Sequence, residues 1–153
     1  MNERYDFFLG GVIQGSVAYR TIMPQNYRAA IREIIARRTP GRMVYDPVEH
    51  HAQSVEYSDG EAREVFFDHV TLARYCDFFI AYLPTASMGT AIEMWECFMS
   101  GSPPVITISP MAHNWVIRIL SGVVLKDLSE FESWLSEENL KELVRESEKK
   151  FGE

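Results

Sequence analysis

The segment from Ser87 to Glu93, SMGTAIE, combines residue types that bind anions with a carboxylate one helical turn away. If a helix begins directly after Ser87, that serine is its N-cap, and the N–H groups of the next three residues are free to bind a phosphate or a carboxylate. Gly89 leaves room for such an anion, and the hydroxyl groups of Ser87 and Thr90 add hydrogen bonds. The pattern predicts an anion site at a helix start; a capped helix that binds nothing is the alternative.

Glu93 is the residue of this segment with catalytic potential. A capping carboxylate would stand at Thr90, the third helical position, so capping does not explain Glu93. Its neighbours in the chain are apolar: Ala91, Ile92, Met94 and Trp95. A carboxylate at the rim of an apolar pocket has the raised basicity or the nucleophilicity that glycosyl transfer uses. We predict that Glu93 is catalytic; a solvated glutamate on a capped helix is the alternative.

A glycine-rich stretch, residues 10–16 (GGVIQGS), follows the first apolar run of the chain. Glycine lets a ligand approach the backbone closely and exposes N–H groups to it. The predicted ligand contacts are Gly10, Gly11, Ile13 and Gln14. The spacing differs from G-x-G-x-x-G and no helix opens directly after it, so a dinucleotide fingerprint is not indicated. A tight turn without a ligand is the alternative.

Two other stretches carry candidate side chains. Asp68 and His69 are adjacent on a predicted helix and face different directions, so one of the two is expected to reach the site. After a later strand, Asn114 offers hydrogen bonds to a sugar or a base. Met111 is placed to stack on a ligand, with packing in the core or at a subunit contact as the alternative. The two cysteines have no metal-ligand spacing and the four histidines are weak evidence for a metal site, so no metal is expected.

The elements that must position these residues alternate between strand and helix patterns. Apolar runs at 5–9, 42–47, 76–83, 103–109 and 123–125 predict five strands. Helical spacing predicts helices at 26–38, 61–75, 88–101, 111–120 and 128–150, with a long loop at 48–60. This order is typical of an α/β fold with a five-stranded parallel sheet and helices on both faces, which binds ligands at the carboxyl ends of its strands.

Composition and charge limit the class of protein. With 153 residues, 46% of them hydrophobic and 24% charged, the chain is expected to form one domain over 1–153. A net charge of −7 argues against nucleic acid or an anionic membrane as the main partner and leaves a small molecule as the expected ligand. No segment has the length of a membrane span and the first residues are unlike a signal peptide, so a cytoplasmic protein is expected.

Two motifs in this order carry a family resemblance: Cys76-Asp77-Phe78-Phe79-Ile80-Ala81, and then Ser87-Met88-Gly89-Thr90-Ala91-Ile92-Glu93. The pattern A-D-x-x-x-A followed by S-x-G-[TV]-x-x-E resembles the nucleoside 2-deoxyribosyltransferase superfamily, and most closely its (deoxy)nucleoside 5′-monophosphate N-glycosidases. The resemblance covers most of residues 5–125. It implies a flavodoxin-like, Rossmann-like three-layer sandwich, no cofactor, and a homodimer or higher homo-oligomer with sites near the subunit contacts.

The resemblance also assigns roles to single residues. It implies that Glu93 attacks the anomeric carbon and that Ser87 binds the 5′-phosphate. An aspartate on the second helix orients the sugar or protonates the base; Asp68 is the nearest candidate, although His69 fits the spacing to Asp77 better. The loop that holds Ser109, Met111 and Asn114 is expected near a neighbouring subunit's site.

This sequence departs from the family pattern at two positions. Phe8 stands where the first strand usually supplies a tyrosine, and Gln14 stands where some phosphohydrolases carry an arginine. These changes favour an altered substrate, such as a ribonucleotide, or a weak enzyme.

The expected reaction is hydrolysis of the N-glycosidic bond of a (deoxy)nucleoside 5′-monophosphate. Transfer of deoxyribose between bases and a nucleotide-sensing module without turnover are the alternatives. A phosphoribohydrolase with a G-G-x-G-T-x-x-E loop fits less well, because Ser87-Met88 replaces its first glycines.

Overall fold

Five parallel strands form the central sheet. The computed structural model describes residues 3–15 and 21–152. In the order of the sheet the strands are β2 (Val44–Tyr45), β1 (Phe7–Gly11), β3 (Phe78–Tyr82), β4 (Val105–Ile108) and β5 (Val123–Leu125). All four pairings are parallel. The predicted α/β fold with a five-stranded parallel sheet is confirmed.

The helices alternate with these strands. They are α1 (Asn26–Arg38), α2 (Pro47–His50), α3 (Asp59–Tyr75), α4 (Met88–Met99), α5 (Trp115–Leu120), α6 (Leu128–Trp134) and α7 (Glu137–Phe151). The stretch 48–60, predicted as a loop, contains most of α2 and a 3₁₀ turn at Ser54–Glu56. No helix in the described ranges is both long and apolar enough to cross a membrane.

The predicted helix over 128–150 is two helices, so that prediction was wrong in its continuity. Leu135 is fully buried in the core and ends α6, where it has an extended backbone conformation. Ser136 then caps α7, because its side chain accepts a hydrogen bond from the N–H of Asn139 at 3.1 Å. Burial of Leu135 and a new N-cap together outweigh the continuous helical pattern of the sequence.

Two hydrophobic cores cover the two faces of the sheet. Phe7 and Leu9 of β1 point into a core that includes residues of α1, α6 and α7. Phe8, between them, points to the other face, where the core includes residues of α3, α4 and α5. Successive strand residues face opposite sides, so a run that is buried throughout is the pattern of a sheet covered on both faces.

Gly10 and Gly11 end β1 at the carboxyl edge of the sheet, and the packing beneath them requires glycine at both positions. A Cβ atom on Gly10 would lie 2.4 Å from Cζ of Phe79, and one on Gly11 would lie 2.6 Å from the hydroxyl oxygen of Tyr27. These distances are too short for side chains, so the absence of a Cβ lets β1, β3 and α1 pack closely here. This edge, where β1 has β2 on one side and β3 on the other, is the switch point of the fold.

Candidate active site

A cavity at the carboxyl edge of the sheet brings together most of the predicted site residues. The predicted residues that line it are Gly10, Gly11, Ile13, Gln14, His69, Ser87, Gly89, Thr90 and Glu93. Five further lining residues were not predicted as ligand contacts: Gly15, Arg28, Pro47, Phe66 and Met88. Ser16, the last residue of the glycine-rich stretch, lies outside the described residues. The cavity has the position that the sheet topology predicts for a ligand site.

The wall formed by the start of α4 has the arrangement of an anion site. Ser87 is the N-cap, as predicted: its hydroxyl oxygen accepts a hydrogen bond from the N–H of Thr90 at 3.4 Å and donates one to the Thr90 hydroxyl at 3.0 Å. The prediction of a free N–H on Thr90 was wrong, because the cap engages this group. A Cβ atom on Gly89 would meet nothing within 4 Å. Packing therefore does not require glycine at this position, and the open space belongs to the cavity.

Glu93 lies on α4 one turn beyond Gly89, with its side chain partly exposed at the cavity wall. Burial raises the pKa of its carboxyl group to about 8, and the positive charge of Arg28 opposes this rise. Removal from water disfavours the charged form, so the Glu93 side chain is mostly protonated at pH 7 in the free protein. The structure therefore gives the predicted catalytic carboxylate an unusually high basicity.

Arg28 is the charged residue of the cavity that the sequence analysis did not select. Its guanidinium group is buried, and Nη1 donates to the carbonyl oxygen of Leu9 at 3.0 Å and to Oδ1 of Asp46 at 2.9 Å. Nε donates to the side-chain oxygen of Gln25 at 2.6 Å. Within the described part of the chain, Nη2 has no hydrogen-bond partner. A sequence signal was present, because Arg28 shares the buried stripe of α1 with Ile31 and Ile35.

His69 reaches the cavity from α3. Its Nε2 atom lies 3.3 Å from the hydroxyl oxygen of Tyr45, and its ring meets the ring of Phe8 edge to face at 6.1 Å. Burial, helped by the neighbouring His51, lowers the pKa of His69 to about 4. The imidazole is therefore neutral at pH 7 and has one N–H donor and one acceptor nitrogen. Among the described residues, no three His, Cys, Asp or Glu side chains are grouped so that they could hold a metal ion.

Asp68 and Phe8 are predicted site residues that do not line the cavity. Asp68 is exposed and lines a different depression on the surface, together with residues 3–5 that precede β1. On a helix, adjacent side chains point about 100° apart, so Asp68 and His69 face different regions. Phe8 is fully buried beneath the cavity, where its ring stacks on Phe79 at 5.3 Å.

The loop after β4 also lies outside the cavity of this chain. Ser109 is buried, and its hydroxyl donates to the carbonyl oxygen of Leu83 at 2.6 Å and accepts from the N–H of Met111 at 3.1 Å. Met111 packs against the core under α4 and α5. Asn114 is the N-cap of α5, with its side-chain oxygen 2.9 Å from the backbone nitrogen of Val116. Within this chain, the contacts of the three side chains are structural.

Comparison with known proteins agrees with the fold. No family model matches the chain, and neither does any curated protein. The chain is similar to the solved 2-deoxyribosyltransferase of the psychrotolerant bacterium Bacillus psychrosaccharolyticus, with a TM-score of 0.63 and 20% identity over 88% of this chain and 94% of that chain. A conserved protein from Enterococcus faecalis V583 aligns over 97% and 99% of the two chains with 16% identity and a TM-score of 0.49. The first similarity shows that this chain has the flavodoxin-like α/β fold of a 2-deoxyribosyltransferase.

Replacement of Glu93 by Gln is expected to stabilise the protein at neutral and alkaline pH. Below the ordinary pKa of 4.5, the carboxyl group is protonated in both the folded and the unfolded chain and makes no difference. Between 4.5 and about 8 the unfolded chain releases a proton that the folded chain keeps, so stability falls as pH rises, and above about 8 the loss is constant. Glutamine avoids this loss, which we expect to be roughly 1 to 3 kcal/mol because the side chain is partly exposed.

Urea denaturation of both proteins across this pH range measures the effect. The difference in the free energy of unfolding should grow from near zero in acid to its full value in alkali. Glu64→Gln, a change of an exposed glutamate on α3, is the control and should show no such growth. A difference between Glu93→Gln and the unchanged protein that is the same at every pH would contradict the prediction.

Proposed function

We propose that this chain belongs to the nucleoside 2-deoxyribosyltransferase superfamily and hydrolyses the N-glycosidic bond of a (deoxy)nucleoside 5′-monophosphate. The products are the free base and (deoxy)ribose 5-phosphate. One observation carries the proposal: a single cavity contains an open helix start and, one turn along the same helix, a carboxylate with a raised pKa. The sequence motif and the fold similarity support the same family.

The spacing along α4 suits a sugar phosphate. Glu93 follows Gly89 by four positions, which corresponds to a rise of about 6 Å along the helix. With the 5′-phosphate at the N–H groups after Ser87, the pentose extends along α4 and its anomeric carbon comes near the Glu93 carboxylate. The phosphate thereby holds the sugar in position for attack.

In the proposed reaction the ionised Glu93 attacks the anomeric carbon, and the electron pair of the C–N bond leaves with the base. The base takes up a proton from the solvent. Water then adds to the anomeric carbon, displaces the Glu93 carboxylate and gives a proton back to the solvent. We assign the contact with the base or sugar to His69 rather than Asp68, because His69 lines the cavity. Its ring, neutral at pH 7, can donate or accept a hydrogen bond there.

Incubation with a panel of nucleoside 5′-monophosphates and the matching nucleosides tests the activity, with free base followed by chromatography. We expect base release from at least one monophosphate and a loss of roughly 10³-fold or more in Glu93→Ala. Because the attacking form is the carboxylate, kcat/KM should rise about tenfold per pH unit until about pH 8.

The same assay separates the alternatives. Capture of the sugar by an added second base in preference to water would identify a transferase. Saturable binding without base release from any member of the panel would overturn the enzymatic proposal and indicate a nucleotide-binding module. Full activity in Glu93→Ala would show that a different group attacks.

Gly89→Ala tests the phosphate site without damage to the fold. Both Gly89 and Gly60 are the second residue of a helix, and a Cβ atom would meet nothing within 4 Å at either position. Alanine at either site should leave the free energy of unfolding unchanged or raise it by up to about 1 kcal/mol. Only Gly89→Ala, however, adds a methyl group in the cavity.

We therefore expect Gly89→Ala to weaken monophosphate binding by at least about tenfold, while Gly60→Ala leaves it unchanged. Calorimetric titration measures both affinities. Unchanged monophosphate binding by Gly89→Ala would place the phosphate elsewhere.

We further propose that the protein is a homodimer that buries the outer faces of α4 and α5. These two helices are in contact and expose apolar side chains that are between 45% and 76% accessible: Met88, Ile92, Trp95, Met99, Trp115, Val116 and Ile119. Many exposed apolar side chains on two packed helices are typical of a protein–protein contact. Met88 also lines the cavity, so the proposed interface adjoins the site.

Trp95→Glu is expected to convert the dimer to a monomer, since a buried charge at the centre of the interface would be unpaired. Sedimentation velocity measures the change. Met43→Glu is the control, because Met43 is similarly exposed but precedes the edge strand β2, away from α4 and α5. A monomeric unchanged protein at micromolar concentration would contradict the proposed dimer.

A further inference from the structure

We propose that Arg28, held by Asp46, is a positioning residue for Glu93, and that its free Nη2 atom binds the ionised carboxylate in the attacking state. The catalytic part of this inference rests on the proposed function. The structural part concerns how one buried ion pair acts on a neighbouring carboxyl group, and it can be tested without catalysis.

The guanidinium group of Arg28 is held in place on one side and unpaired on the other. Arg28 is 2% exposed, and its Nε and Nη1 atoms make three hydrogen bonds, to Gln25, Leu9 and Asp46. Nη2 is buried and, in the described part of the chain, unbonded. An unsatisfied buried donor is unfavourable, and more so when it is charged. Such a group in a cavity wall indicates a bond that is made in another state of the protein.

Asp46 makes this arrangement possible. Its carboxylate is 1% exposed, and Oδ1 accepts from Nη1 of Arg28 at 2.9 Å and from the N–H of Val48 at 3.0 Å. Arg32 lies further away, with Nη1 3.8 Å from Oδ2 of Asp46. The aspartate balances most of the charge of Arg28 without occupying Nη2, so the guanidinium group remains available to a second carboxylate.

Glu93 is the carboxylate that can use this donor. The titratable groups around it are Arg28 from α1, His69 from α3 and Cys97 on α4 itself. His69 is neutral at pH 7, and burial raises the pKa of the Cys97 thiol, which is therefore also neutral. Arg28 is the group that favours the charged form of Glu93. No ion pair joins the two side chains within the described structure of the free protein, so the contact belongs to the ionised, attacking state.

The burial of Nη2 favours Glu93 over a bound phosphate as its partner. The atom has almost no solvent-accessible surface, so a ligand in the cavity does not reach it without displacing the side chains that cover it. The anion site at the start of α4 has its own donors, the N–H groups after Ser87. Two separate sets of donors thus serve two separate negative charges.

A pH titration of stability tests the inference with no substrate present. The difference in the free energy of unfolding between a protein and its Glu93→Gln counterpart changes with pH until Glu93 ionises in the folded chain and is constant at higher pH. The pH at which this difference becomes constant is therefore the midpoint of the ionisation of Glu93 in the folded chain. This midpoint is measured in the unchanged background and in Arg28→Gln, Asp46→Asn and Arg32→Gln. Arg32→Gln is the matched control, because Arg32 also approaches Asp46 but does not line the cavity.

The expected shifts have opposite signs. Loss of the positive charge in Arg28→Gln should raise the midpoint by about one pH unit, and loss of the balancing negative charge in Asp46→Asn should lower it by a smaller amount. Arg32→Gln should leave it in place. General loosening of the fold does not produce shifts in opposite directions. If Arg28→Gln does not fold, two other variants provide the test. Asp46→Asn should lower the midpoint, and Arg28→Lys, which keeps the positive charge, should leave it nearly unchanged.

Two results would overturn the inference. One is a midpoint that stays the same in both Arg28→Gln and Asp46→Asn. The other is a tenfold or greater loss of affinity for inorganic phosphate in Arg28→Gln, which would make Arg28 a phosphate ligand; we expect this affinity to change less than about twofold.

Catalysis gives an independent readout once base release is established. Arg28→Gln should move the acidic limb of kcat/KM to higher pH by the same amount as the stability midpoint and should lower kcat more than it changes KM. A panel with no base release would remove the proposed function but leave the stability titration valid, so the two failures can be distinguished.

Discussion

The ion pair between Arg28 and Asp46 joins three elements at the carboxyl edge of the sheet. Arg28 comes from α1, Asp46 follows β2, and the same guanidinium nitrogen bonds the carbonyl oxygen of Leu9 in β1. Two buried charges are favourable only when further hydrogen bonds compensate for their lost hydration, and the bonds to Leu9, Gln25 and Val48 provide this compensation. The pair also sets where α2 begins, because Asp46 is its N-cap, and so it places the first residue of α2 in the cavity wall.

The start of α4 and the position of Glu93, one turn further on, have opposite effects on a negative charge. At the start of the helix, free N–H groups and open space favour a negative charge. One turn further on, burial disfavours the negative charge of Glu93 and makes its carboxylate more basic. A carboxyl group with a raised pKa lowers the free energy of unfolding at neutral pH. Proteins commonly accept such a loss of stability at an active site. The same helix therefore combines a start that favours a negative charge with a carboxyl group whose ionisation is disfavoured.

The features predicted correctly from the sequence were those encoded locally, such as the alternation of strands and helices and the N-cap of α4. The stripe of α1 indicates that Arg28 is buried, but its bonding partners Leu9 and Asp46 are 19 and 18 residues away in the chain, so no local pattern reveals what it binds. The sequence could not decide between Asp68 and His69 for a different reason. The two are adjacent on α3, and an uncertainty of one residue in the helix register decides which side chain lies at the cavity and which lies in solvent. Family spacing pointed to His69, which the structure places at the cavity, but the chemical expectation of an aspartate favoured its neighbour.

Residue 8 is a phenylalanine, and the phenol hydroxyl group that contacts His69 is that of Tyr45 and not one from β1. Phe8 is fully buried and packs between Phe79 and Tyr45, so the residue at this position of β1 brings no hydroxyl group to the cavity. The phenol of Tyr45, from β2, instead lies 3.3 Å from His69, which lines the cavity. Its influence on a ligand is therefore indirect, through the orientation and tautomer of the imidazole ring. In this chain the ionisation of Glu93 depends on burial and on Arg28.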